Sequence, residues 1–94
     1  MADASVYSAL VTNIVKSQFD VIGPLAIDQA KMVNGITIDT SNTATIRGNG
    51  KEVLANLVKQ FEQLFGQTSV EVCKDAIKES GTPVSDNDLP EILQ

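Results

Sequence analysis

The chain has 94 residues, a formal charge of −5, 43% apolar residues, no histidine and one cysteine. Its size is typical of one domain, and its acidic balance argues against a nucleic-acid-binding protein or adsorption to anionic membranes. Without histidine the chain lacks the commonest general base and metal ligand, so we expect neither an enzyme nor a cofactor or metal site.

Two features of the sequence indicate the cellular compartment of the protein. Cys73 has no second cysteine to pair with, which fits a reducing environment, and its position on a helix predicts a small buried side chain. The chain has no signal-peptide pattern and no apolar run of the roughly 18–20 residues that a bilayer requires. We therefore expect a soluble cytoplasmic protein.

Two helices are predicted first along the chain. The first begins after Asp3 or Ser5, either of which can cap it. Its apolar residues recur mostly at spacings of three, four and seven: Val6, Tyr7, Leu10, Val11, Ile14, Val15, Val21 and Ile22. Gly23-Pro24 interrupts this pattern, and a second helix follows over about 24–33, with Ala26, Ile27, Ala30 and Val33 on one stripe.

A β-hairpin is predicted over residues 36–47. Residues 36–39 and 44–47 alternate apolar and polar side chains, as half-buried strands do. Ile38 and an apolar partner such as Ile46 then lie on the same face. A three-residue turn at Ser41–Thr43 gives this register, with Asn42 in a left-handed conformation.

Two more helices follow the hairpin. Asn49 and Glu52 have the spacing of a capping box. The third helix carries an i, i+3, i+4, i+7 stripe of Leu54, Leu57, Val58, Phe61, Leu64 and Phe65. After Gly66 a fourth helix is predicted over about 68–79, with Val70, Cys73, Ala76 and Ile77 inward, ended by Gly81-Thr82-Pro83.

The segment from residue 84 to residue 94 differs from the domain at 1–83. It combines three acids with apolar residues, without the spacing of a calcium-binding loop. Two alternatives stay open for this tail: it docks on its own domain, or it docks on a neighbouring molecule.

A repeat relates the two helical passages. Residues 13–31 align without gaps on residues 56–74, with identities at Asn13/Asn56, Val15/Val58, Lys16/Lys59, Gly23/Gly66 and Lys31/Lys74. Self-similarity at a fixed offset constrains the architecture. We predict an α+β fold, mainly α, with pseudo-symmetric order α-α-β-β-α-α, in which two helix–Gly–helix repeats flank the hairpin.

The turn at Gly23-Pro24 resembles part of a known type of module. Residues 21–26 are similar to the "IGPxA" turn of small helical regulatory modules attached to bacterial, especially cyanobacterial, signalling proteins and kinases. Residues 64–73 resemble a companion segment of the same kind of protein. The resemblance implies a non-catalytic regulatory or docking role.

Two hypotheses for function follow. The first is a homodimeric interaction module that regulates or scaffolds a signalling protein. Its contacts would be made by the hairpin and the tail, through Ile36, Ile38, Ile46, Leu89, Ile92 and Leu93. The second is a small-ligand or anion-binding sensor, with a site at the start of the third helix formed by Asn49, Gly50 and Lys51.

Overall fold

A computed structural model describes residues 4–82 and 84–94. The elements in chain order are α1 (Ala4–Ile22), α2 (Leu25–Lys31), β1 (Ile36–Ile38), β2 (Ala44–Ile46), α3 (Gly50–Phe65), α4 (Gln67–Glu79) and the 3₁₀ turns Asp86–Asp88 and Glu91–Leu93. The mainly α, α+β class and the order α-α-β-β-α-α are confirmed. The predicted cap at Asp3 and the predicted stop at Pro83 lie outside the described residues, and Ser5 lies within α1.

α1 and α3 each contribute one stripe of buried residues to the core. The buried residues of α1 are Tyr7, Leu10, Val11, Ile14, Val15 and Gln18, and those of α3 are Val53, Leu54, Leu57, Val58 and Phe61. All five buried positions of α3 lie 43 residues after a buried position of α1. The two halves thus bury equivalent positions, whereas their pseudo-symmetric arrangement in space stays a prediction.

The beginnings of α1 and α3 meet at a glycine. A Cβ atom at Gly50 would overlap the ring of Tyr7, so this contact requires glycine. Tyr7 and Gly50 are themselves separated by the 43-residue offset of the repeat.

Two residues of the predicted apolar stripes are exposed. Val21 and Leu64 were predicted to face inward, but they are 62% and 50% exposed. Each lies two residues before a helix-ending glycine, Gly23 or Gly66, with φ of 73° and 82°. The next residues, Ile22 and Phe65, pack against the core, so of each pair of terminal apolar residues only the first is exposed.

The hairpin pairs apolar residues with apolar residues, as predicted, but in a different register. The paired residues are Ile36↔Ile46, Thr37↔Thr45 and Ile38↔Ala44, so Ile46 lies opposite Ile36 rather than Ile38. The loop consists of residues 40–42, one position earlier than predicted, and Asn42 has the predicted left-handed φ of 63°.

The Asp39 carboxylate accounts for this shift of the loop. Its Oδ1 accepts hydrogen bonds from the backbone N–H groups of Ser41 at 2.9 Å and Thr43 at 3.0 Å. The Thr43 N–H and then the Ser41 hydroxyl, which donates to the same oxygen at 2.8 Å, hold the pKa of Asp39 below its usual value. An aspartate that closes a turn on the following backbone favours a loop beginning directly after it.

The tail packs on its own domain. Leu89 and Leu93 are buried in the core, while Val84 and Ile92 pack against it. The last turn of the tail contacts α3 and α4. Of the two alternatives for residues 84–94, the structure therefore shows the intramolecular one.

Candidate functional site

The predicted hairpin surface lies mostly inside the domain. Ile36 and Ile46 are buried, and Ile38 is half-buried against the core. The exposed face of the hairpin carries Thr37 and Thr45 instead. As the chain is folded, Ile36 and Ile46 stabilise the domain and do not present side chains to a partner.

The outer edges of the hairpin are also partly used. Backbone hydrogen bonds from Asp39 N–H to Thr43 O and from Arg47 N–H to Gly35 O lie at the two ends of the strand pair. In an antiparallel pair every second residue exchanges such bonds, so the N–H groups of the alternate residues point away from the partner strand. One of them, Ile36 N–H, donates to Val33 O at 3.3 Å. On the other edge, Ala44 N–H donates to Thr12 Oγ1 of α1 at 3.0 Å.

The predicted anion site at the start of α3 is occupied by the protein's own groups. Asn49 Oδ1 accepts from Glu52 N–H at 3.1 Å, which caps the helix as predicted. The Lys51 ammonium donates to Asn87 O of the tail at 2.9 Å. With Gly50 against Tyr7, each of the three predicted residues has an intramolecular role.

The tail residues form an anchor rather than a free arm. Leu89 and Leu93 are buried and Ile92 is half-buried, while the Tyr7 hydroxyl donates to Asp88 O at 2.7 Å. Burial and the nearby Asp88 carboxylate raise the pKa of Tyr7.

A capping box within the tail escaped the sequence analysis. Ser85 Oγ donates to Asp88 Oδ2 at 3.0 Å, and the Ser85 side chain in turn accepts from the Asp88 backbone. The signal that could have found it is the Ser-x-x-Asp spacing.

A buried polar group joins α1 to α4. Gln18 Nε2 donates to Ser69 O at 3.0 Å and to Cys73 Sγ at 3.5 Å. Burial raises the pKa of Cys73 to about 11, against a smaller lowering by this hydrogen bond. The thiol is therefore protonated near neutral pH, and Cys73 is a buried core residue, as predicted.

A small cavity lies where the hairpin loop meets α1 and α2. Its volume is about 250 Å³, and its lining residues are Val15, Lys16, Phe19, Asp20, Ile27 and Asn42. Val15 is buried and Ile27 half-buried, whereas the lysine, aspartate and asparagine lie on the exposed side. No local sequence pattern marks this site, because only the folded hairpin brings Asn42 to the helices.

One group of exposed apolar side chains extends from the end of α1 to the residue after α2. We call it the α2 face and define it by Val21, Leu25 and Met32, the last two being 43% and 68% exposed. Leu25 and Met32 are seven residues apart, which places them on one side of the helical segment. Exposed Asp28 and Lys31 lie between them in the sequence.

Residues 4–82 and 84–94 contain neither a cluster of metal ligands nor a membrane-spanning helix. No group of three or more cysteine, aspartate or glutamate side chains there is placed to bind a metal ion. Over the same residues, no helix combines the length and apolar character needed to cross a bilayer.

The functional assignment depends on this geometry. No protein-family profile, curated protein or solved structure matches this chain.

Proposed function

We propose that this protein is a small, non-catalytic interaction module of the bacterial cytoplasm that forms a homodimer and regulates or scaffolds a signalling partner. The observation that carries this proposal is the exposed α2 face. Single exposed apolar residues are ordinary, but three between the end of α1 and the residue after α2 favour association.

A second copy of the chain is the partner that this face fits best. Across a twofold axis, an apolar surface meets the same apolar surface. The exposed side chains of Asp28 and Lys31 add one acid and one base beside the apolar residues. In a twofold contact, Asp28 of each copy can lie near Lys31 of the other. This attraction favours self-association over contact with an apolar surface whose neighbouring charges all have one sign.

The expected dimer is weak and reversible. Burying one large apolar side chain completely contributes about 1.5–3 kcal/mol, and these three are already partly buried. Association has entropic costs of comparable size, so we expect a dissociation constant roughly in the micromolar to millimolar range.

Sedimentation velocity over a wide concentration range tests this proposal. We expect the mass of the natural chain to rise towards that of a dimer, and the double variant Leu25→Gln/Met32→Gln to stay monomeric. Lys78→Gln, a change to the same residue at an exposed position of α4, is the matched control and should leave association unchanged. A double variant that associates as strongly as the natural chain would contradict the proposal.

A further inference from the structure

We propose that the cavity between α1, α2 and the hairpin loop binds a single α-amino acid with an apolar side chain. The volume is the first argument. About 250 Å³ corresponds to roughly eight water molecules, which suits one amino acid and is too small to enclose a nucleotide.

Two opposite charges at the cavity are the second argument. Lys16 and Asp20 are four residues apart on α1, a spacing at which ion pairs often form. Within residues 4–82 and 84–94 neither side chain has an ion-pair or hydrogen-bond partner, since the ion pair found there joins Lys74 and Glu71. Both charges are thus available to a ligand.

A zwitterion satisfies both charges at once. A ligand carboxylate can accept from the Lys16 ammonium while the ligand ammonium donates to the Asp20 carboxylate, and both hydrogen bonds are charge-assisted. A simple anion would be repelled by Asp20, and a simple cation by Lys16. The Asn42 amide, whose side chain also has no partner in the described chain, supplies one further donor and acceptor.

The apolar lining determines the rest of the ligand. Val15, Phe19 and Ile27 form the non-polar part of the cavity. An aliphatic or aromatic side chain in contact with them loses its hydration, whereas a polar side chain would lose hydrogen bonds without replacement. The geometry therefore favours leucine-like or phenylalanine-like amino acids over polar ones.

NMR titration of the full chain with L-leucine and L-phenylalanine tests the proposal. We expect saturable shift changes centred on residues 15–20, 27 and 42. Leucinamide lacks the carboxylate and 4-methylpentanoate lacks the ammonium, so each should bind about tenfold more weakly or worse.

Matched variants separate recognition from general charge effects. Lys16→Gln and Asp20→Asn should each weaken binding of L-leucine about tenfold or more. Lys59→Gln removes the lysine at the equivalent position of the second repeat, outside the cavity, and should leave binding unchanged. Absence of saturable shifts with either amino acid, or equal binding of 4-methylpentanoate and L-leucine, would overturn the proposal.

Discussion

The hairpin and the tail are the two parts of the molecule outside the four helices, and they are attached in different ways. The hairpin packs on α1 and α2, with Ile36 and Ile46 in the core and hydrogen bonds mainly between its own strands. The tail packs on α3 and α4, and it adds side-chain-to-backbone bonds from Tyr7 and Lys51.

This difference indicates how the stability of the hairpin and of the tail depends on the rest of the fold. The two strands are marginal alone in water, but their pairing is local in sequence and forms with the helices they cover. The bond from Tyr7 to Asp88 instead joins residues 81 positions apart. We therefore expect the hairpin to unfold with the domain and the tail to open separately.

Removing one buried apolar side chain from each part should have the largest effect. Ile46→Ala should lower the free energy of unfolding by about 2–4 kcal/mol, because it leaves a cavity in the shared core. Leu93→Ala removes a side chain of similar size and burial. Its effect should be smaller, about 1–2 kcal/mol, because the tail can open while the helices stay packed.

Urea denaturation monitored by circular dichroism, together with amide exchange of residues 85–94, measures both effects. Exchange in the tail should rise in Leu93→Ala and change little in Ile46→Ala, because the tail opens separately from the domain. Equal losses of stability with no change of exchange in the tail would show that the two parts belong to one cooperative unit.

Removing one hydrogen bond from each part should have an intermediate effect. Thr12→Val leaves the buried Ala44 N–H without its acceptor and should cost about 1–2 kcal/mol. Tyr7→Phe removes the bond to Asp88 O and should cost about 1 kcal/mol, chiefly as faster exchange in the tail. If Tyr7→Phe lowers global stability more than Thr12→Val, the tail is the more tightly integrated part.

The smallest expected effects concern the pH dependence of stability, which should differ between the hairpin and the tail. The pKa of Asp39 is lowered, so its contribution to hairpin stability is present above about pH 4 and is lost as the pH falls through the folded-state pKa. The pKa of Tyr7 is raised, so its contribution is present below about pH 10 and is lost as the pH rises through the folded-state pKa.

Denaturation at pH 2–5 and at pH 9–12, with amide shifts at the acid end, measures these contributions. Asp39→Asn should remove the acid dependence of the loop shifts, and Tyr7→Phe should reduce the alkaline dependence. Cys73 also has a raised pKa, about 11, so the alkaline series is made in a Cys73→Ala background. An acid dependence of the loop shifts that persists in Asp39→Asn would contradict the assignment.

Much of the fold was predictable because it follows from local patterns. The apolar spacing of α3 and α4, the glycine breaks and the alternation of the hairpin each depend on residues close in sequence. The prediction failed at Val21 and Leu64, which are exposed although the next residue of each helix, Ile22 or Phe65, packs against the core. It also missed Gln18, which fills a core position that the apolar pattern leaves out.

The candidate sites were less predictable for a physical reason. The hairpin residues were expected at a surface, but an isoleucine that can contact a partner can equally cover the domain's own helices. The cavity depends on the loop position of Asn42, which the Asp39 carboxylate shifts by one residue. The α2 face depends on which side of a short helix its neighbours leave uncovered.

The packing of α1 against α4 has a consequence for synthesis on the ribosome. When residues 1–48 have emerged, α1, α2 and the hairpin can form, but the stripe of α1 that faces α4 is still exposed to water. Closure of the core has to wait for α4 and for Leu89 and Leu93. We therefore expect folding to finish only after nearly the whole domain has left the exit tunnel, and ribosome-bound intermediates to be the species that chaperones recognise.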